Sequence, residues 1–71
     1  MSKLQAKRKE AKLTQRQLAD AAHVSVRTLQ YYEQGVLDIN KASALSVYCL
    51  AQALGCSVGD LLELDGIWLA E

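Results

Sequence analysis

Four side chains between residues 26 and 31 have types that could contact a nucleic acid. Arginine can donate two hydrogen bonds to guanine, glutamine can pair with adenine, and a valine methyl group can contact thymine, which gives Arg27, Gln30 and Val26 possible partners. Tyr31 could instead bond a phosphate or lie against a sugar edge. Any small helical protein also exposes arginine, glutamine and tyrosine, and Val26 could pack at a helix start or at the edge of the core. These residues therefore need a scaffold that presents them.

Two further residues have types and positions that suit a phosphate group. Gln15 and Ser25 each lie at the start of a predicted helix, where side chain and backbone N–H groups can together bind an anion. The two helices are predicted over residues 15–22 and 26–34, and only three residues separate them. Helices joined so tightly cannot lie antiparallel and must cross at a steep angle. This spacing predicts a helix-turn-helix, whose second helix can enter a groove of a nucleic acid.

Residues that typically start or end helices predict further helices in the rest of the chain. A residue that can cap a helix N-terminus precedes each predicted helix; in order these are Ser2, Thr14, Ser25, Asn40 and Ser57. Glycines follow three of the helices, at Gly35, Gly55 and Gly66. The sequence therefore predicts an all-α, compact five-helix bundle, with helices at about 2–11, 15–22, 26–34, 41–54 and 58–64. Residues 1–66 form the predicted domain, and residues 67–71 form a short apolar C-terminal tail.

Length and composition narrow the class of protein. A chain of 71 residues makes one small domain, and just over half of its residues are apolar, as in a folded helical protein. No apolar run approaches the roughly 18–20 residues that span a bilayer, and the basic N-terminus lacks the apolar segment of a signal peptide. We therefore expect a cytoplasmic protein with no membrane partner.

The reactive residues do not form a pattern typical of metal binding or catalysis. Cys49 and Cys56, with a single histidine elsewhere, do not match a zinc pattern, which predicts reduced structural thiols, no metal and no cofactor. The chain has no glycine-rich phosphate loop, no Cys/His pair at triad-like spacing and no paired carboxylates on one face. We therefore do not expect an enzyme.

The formal net charge is zero, but the two halves of the chain differ in sign. Residues 1–35 contain seven Lys and Arg against three Asp and Glu, and residues 36–71 contain one against five. The resulting charges of +4 and −4 suggest one side that faces a polyanion and one side turned away from it. Chance segregation on an ordinary solvated surface would give the same counts, so charge supports a nucleic-acid partner without deciding it.

Taken in order, the motifs resemble those of the phage-repressor/Cro family of helix-turn-helix transcriptional regulators, also called XRE-like. The matching segments are Thr14-Gln15, Leu18-Ala19, Val24-Ser25, Glu33-Gln34-Gly35, Leu50 to Gly55, and Ser57 to Leu62. They occur at the expected spacing and cover about residues 2–64. The resemblance implies a fold of the lambda-repressor-like DNA-binding type, with the second and third helices forming the helix-turn-helix. The chain also resembles small stand-alone regulators of bacteria and their mobile elements.

The resemblance implies roles for individual residues. Gln15 would hold a phosphate at the start of the second helix. The residues that would face DNA are Ser25, Val26, Arg27 and Tyr31, with Gln30 at the margin.

The resemblance also implies a structural contact and shows one departure. Arg8 matches the family's arginine that pairs with the glutamate closing the recognition helix, here Glu33. The pair would be a partly buried clamp rather than a DNA contact, and breaking one partner should cost more than the intact pair contributes. His23 occupies a turn position where the family usually has glycine, so we predict a positive φ there.

These observations predict a sequence-specific double-stranded DNA-binding transcriptional regulator of the repressor type, which reads the major groove with residues of about 26–34. Because so small a domain buries little surface on DNA, tight binding would need two copies on half-sites. The apolar tail, with Ile67, Trp68 and Leu69, suggests either a homodimer through the fifth helix and the tail or packing of the tail on its own chain. The alternative function is a protein-interaction module, such as an antitoxin-like or regulatory subunit.

Overall fold

The computed structural model describes residues 2–63, which contain four α-helices. These are α1 (Lys3–Glu10), α2 (Gln15–Ala22), α3 (Val26–Gln34) and α4 (Ala44–Leu54). Two 3-10 turns, Ile39–Lys41 and Val58–Asp60, follow α3 and α4, and no strand occurs between residues 2 and 63. The all-α prediction is confirmed. The predicted count of five helices is not, because the described part of the fifth segment forms a single 3-10 turn.

Serine and threonine hydroxyls begin the four helices. The side-chain oxygens of Ser2, Thr14, Ser25 and Ser43 each accept a hydrogen bond from the backbone N–H three residues later, at 3.0–3.1 Å. At Thr14 the bond is reciprocal, because the Gln17 side chain accepts from the Thr14 N–H at 2.8 Å. Each such cap contributes about 1 kcal/mol to its helix, so local chemistry fixes where these helices start.

The start of α4 differs from the sequence prediction, which placed the cap at Asn40. Ser43 caps α4, and the helix begins at Ala44. Asn40 instead lies in the preceding 3-10 turn, and its side-chain amide pairs with the backbone of Glu63. It donates to the Glu63 carbonyl at 2.7 Å and accepts from the Glu63 N–H at 2.8 Å. A contact distant in sequence therefore overrides the capping preference of asparagine.

A left-handed residue ends each of the four helices. The angle φ is +60° at Lys12 and at His23, +80° at Gly35 and +69° at Gly55. At each end the N–H of the following residue bonds to the carbonyl five residues earlier, at 2.9–3.2 Å. This Schellman arrangement uses carbonyl groups that the helix itself leaves unpaired. The positive φ predicted at His23 is confirmed, whereas the same conformation at Lys12 was not predicted.

The core lies where α2 and α4 pack together. Leu18, Leu29 and Leu50 have no exposed surface, and Leu4 from α1 and Leu61 beyond the second 3-10 turn are at most 1 % exposed. α3 packs against both α1 and α2. The helix bundle therefore holds α3 from one side and leaves its other side to solvent.

The last described residues are attached to the start of α1. The Glu63 carboxylate accepts a hydrogen bond from the Lys3 backbone N–H at 2.7 Å, which is one of the donors that a helix N-terminus leaves unpaired. Ser57 and Asp60 form a reciprocal capping box at the second 3-10 turn. The Ser57 N–H donates to the Asp60 carboxylate at 3.1 Å, and this bond holds the pKa of Asp60 below its usual value.

Several predictions concern features other than the bundle itself. No helix within residues 2–63 is long and apolar enough to cross a membrane, and no three His, Cys, Asp or Glu residues in this part of the chain are placed to hold a metal ion. Cys49 and Cys56 are free thiols, and burial raises the pKa of the Cys56 thiol. The predicted contacts of the tail residues Ile67, Trp68 and Leu69 lie outside the described residues.

Candidate nucleic-acid interface

A turn of three residues joins α2 to α3. His23 adopts the left-handed conformation, with φ +60° and ψ +39°, and the Val24 N–H bonds to the Ala19 carbonyl at 3.0 Å. Ser25 then caps α3. Ala19 and Ala22 are 0 % and 2 % exposed, and their small side chains let α3 approach α2 closely. The helix-turn-helix predicted from the spacing of the two helices is present.

α3 has one buried side and one exposed side. Leu29 is fully buried, whereas Arg27 is exposed and Tyr31 is partly exposed. At about 100° per residue, Arg27 and Tyr31 both point roughly 160° away from Leu29, so they share the side that faces solvent. Val26 is only partly exposed and packs against the core, which matches the edge-of-core alternative for this residue.

An ion pair ties the last turn of α3 to α1. Arg8 Nε donates to Glu33 Oε2 at 2.7 Å, and Arg8 Nη2 donates to Glu33 Oε1 at 3.1 Å. The remaining nitrogen, Nη1, donates to the Leu13 carbonyl at 2.9 Å. The side chains of Arg8 and Glu33 are 12 % and 2 % exposed. The pair that the resemblance implies is therefore present, with the two-bond geometry that makes arginine–carboxylate contacts strong.

Gln15 is bonded at both ends of its side-chain amide. Its Nε2 donates to Glu33 Oε1 at 3.0 Å, and its Oε1 accepts from Gln30 Nε2 at 3.1 Å. Sequence reasoning missed the contact between Gln15 and Gln30, because fifteen residues separate two uncharged side chains on different helices. Gln15, which was predicted to bind a phosphate, and Gln30, which was predicted at the margin of the DNA-facing set, thus belong to one hydrogen-bond network that also contains Arg8.

The Ser25 hydroxyl is engaged within its own helix. It accepts from the Thr28 N–H at 3.0 Å and donates to the Thr28 hydroxyl at 2.8 Å. Because each hydroxyl has one hydrogen and one of the two is used between Ser25 and Thr28, one hydroxyl hydrogen of this pair stays available for a phosphate. With Ser25 donating, the available hydrogen is that of Thr28, so Thr28 is a candidate that sequence reasoning missed. The sequence feature that could have indicated Thr28 is its position three residues after the capping Ser25, where a second hydroxyl can bond to the first.

The electrostatics at the two helix starts favour an anion. Neither α2 nor α3 has an acidic residue in its first turn, and the N-terminus of a helix carries the positive end of its dipole. Arg16 and Arg27 are both exposed in these first turns. The arrangement therefore combines two positive helix ends, two guanidinium groups and several neutral donors, which suits a phosphate backbone with bases beside it.

A comparison with protein families agrees with this geometry. A family model described as helix-turn-helix matches residues 4–61 of the chain. Comparison with curated proteins and with solved structures gave no match. The matched residues begin in α1 and end just after the second 3-10 turn, so they include both members of the Arg8–Glu33 pair as well as the turn between α2 and α3.

Proposed function

Because the chain belongs to the phage-repressor/Cro (XRE-like) helix-turn-helix family of DNA-binding regulators, we propose that it represses transcription by binding a specific double-stranded DNA sequence. The observation that supports this most directly is the exposure of Arg27 in the first turn of α3, on the side opposite the buried Leu29. A helix held by the core on one side and presenting arginine on the other can enter the major groove.

We assign base contacts to the exposed side of α3. Arg27 donates two hydrogen bonds to a guanine, a contact that discriminates against other bases by about 1–3 kcal/mol. Tyr31, one turn further along the same side, reaches a phosphate or a sugar. Val26 touches a thymine methyl group with the part of its side chain that the core leaves exposed.

We assign phosphate contacts to the starts of the two helices. At α2, Gln15 donates the amide hydrogen that Glu33 does not use. At α3, the backbone N–H groups that follow Ser25, together with the Thr28 hydroxyl, bind a second phosphate. These contacts position the protein on the duplex and carry no sequence information themselves.

Two copies are needed for tight binding, since a single module of this size buries only roughly 600–1,000 Å² on DNA. We propose a homodimer on two half-sites whose centres lie about 34–36 Å apart, one turn of the double helix. Bound there, the dimer would block access to an overlapping promoter, which is how the protein would act as a repressor in the cytoplasm.

Fluorescence anisotropy of labelled duplexes tests the DNA-binding proposal. The wild type should bind duplex DNA, and its affinity should fall steeply between about 50 and 200 mM salt, because phosphate contacts release counterions. Arg27→Ala should weaken binding while leaving the helical circular dichroism spectrum unchanged. No binding to any duplex at low salt would contradict the proposal.

A protein-interaction module is the second candidate, because four large apolar side chains are exposed within residues 2–63. Their exposed fractions are 63 % at Val36, 40 % at Leu37, 71 % at Leu45 and 53 % at Tyr48. A partner protein could cover these side chains in an antitoxin-like or regulatory role. The anisotropy experiment separates the two candidates, since a pure interaction module has no salt-dependent affinity for duplex DNA.

A further inference from the structure

We propose that Gln30 is a positioning residue rather than a base reader: it fixes the side-chain amide of Gln15 so that Gln15 can donate to a DNA phosphate. This inference rests on the proposed DNA-binding function and reassigns one residue within it. The sequence placed Gln30 at the margin of the DNA-facing set, and the structure places its amide nitrogen 3.1 Å from Gln15 Oε1.

The negative charge of Glu33 determines which end of each glutamine amide, the oxygen or the NH₂ group, faces its neighbour. A carboxylate only accepts hydrogen bonds, and both Glu33 oxygens already accept from Arg8. Gln15 can therefore approach Glu33 only with its NH₂ group, as observed at 3.0 Å. Its oxygen must then face away from Glu33, and only a donor can satisfy that oxygen. Gln30 supplies the donor.

The network leaves Gln15 with one unused hydrogen of fixed direction. Its Nε2 has two hydrogens, of which Glu33 takes one, and its oxygen is taken by Gln30. Rotation of the amide would break both bonds. The second hydrogen is thus held in place before DNA arrives, which lowers the entropy cost of ordering the side chain on binding.

The position of Gln30 around α3 agrees with this role. At about 100° per residue, Gln30 lies roughly 60° from Arg27 and on the side of Glu33. Glu33 is 7 % exposed and belongs to the buried side of the helix, whereas Arg27 is exposed. Gln30, partly buried, lies between them on the flank that meets the start of α2. The Gln30 amide therefore points towards Gln15, whereas Arg27 points towards solvent.

A double-mutant cycle on DNA affinity tests the proposal. Methionine matches glutamine in length without its hydrogen bonds, so the variants are Gln15→Met, Gln30→Met and the double variant. The probes are the duplex that the wild type selects, its single-base variants and an unrelated duplex. Gln34→Met is the matched control, because it makes the same change one turn later on an exposed part of α3.

We expect Gln30→Met to weaken binding to every duplex by about the same factor, roughly five-fold, because the Gln15 side chain must then be ordered when DNA binds. It should have no further effect in the Gln15→Met background. The salt slope should stay at the wild-type value because no charge is removed, and the domain should stay folded, with a melting temperature lower by about 4–8 °C for the one lost intramolecular hydrogen bond. Gln34→Met should change affinity by less than about two-fold.

A changed preference at one base pair in Gln30→Met, or an equal loss in the Gln15→Met background, would overturn the positioning role. Either result would leave the proposed DNA-binding function intact. Failure of the wild type to bind any duplex would instead overturn both proposals.

Discussion

Replacing Arg8 by methionine should destabilise the domain strongly. The change leaves the Glu33 carboxylate, whose side chain is 2 % exposed, without the two guanidinium bonds at 2.7 and 3.1 Å. Breaking one partner of a buried pair costs about 3–5 kcal/mol. A domain of this length has roughly 4–11 kcal/mol of stability in total. The variant should therefore lose roughly a quarter or more of its stability, with a melting temperature lower by roughly 20 °C.

The double variant Arg8→Met with Glu33→Leu is the control. It removes both charges and fills their space with apolar groups, which is often nearly neutral for a buried pair. We expect it to recover more than half of the loss. Urea unfolding followed by circular dichroism at 222 nm gives each free energy of unfolding from the midpoint at constant slope. A cost below about 1 kcal/mol for Arg8→Met, as measured for exposed pairs, would refute the reasoning.

Three smaller changes test local features of the fold. His23→Gly should raise the stability by about 1 kcal/mol in thermal unfolding, because glycine adopts a φ of +60° without the steric cost that histidine has; no gain would contradict a left-handed turn. Ser43→Ala should cost about 1 kcal/mol through loss of the α4 cap, and an unchanged urea midpoint would restore Asn40 as the cap. Asp60 has a lowered folded pKa, so its carboxylate contributes stability above its ordinary pKa of 3.8 and loses it as the pH falls through the lower folded value. Asp60→Asn should therefore lose less stability than the wild type on acid titration below pH 3.8; an identical acid profile would be inconsistent with this bond.

Local chemistry explains why much of the fold could be predicted from the sequence. A hydroxyl followed three residues later by a glutamine fixed the start of α2 at Thr14. A three-residue gap forced the turn between α2 and α3. The conformation at His23 was implied by the resemblance, because the family usually has glycine at that turn position.

The errors arose where contacts distant in sequence decide the structure. Asn40 is a good helix cap by type, but its amide is used by Glu63, twenty-three residues later, and α4 begins three residues further on. The fifth segment has a capping box, yet the described part forms only a 3-10 turn. Lysine is not a residue type that favours the left-handed conformation, so the positive φ at Lys12 could not be predicted from its type; it occurs where the chain leaves the end of α1.

The candidate site shows the same division. Exposure of Arg27 follows from the helical period and could be predicted. The bond between Gln15 and Gln30 depends on how α2 and α3 cross, and the direction of both amides depends on the buried Glu33. No sequence pattern predicts how the two helices cross or which way the two amides point.

Selection of bound sequences from a random duplex library tests the central claim most directly. The wild type should enrich two copies of a half-site related by a two-fold axis and separated by about one helical turn. Arg27→Ala should lose the preference for one G·C pair in each half-site and keep the others. A library that shows no enriched sequence with the wild type, or an unchanged sequence with Arg27→Ala, would contradict the assignment of α3 as the element that reads DNA.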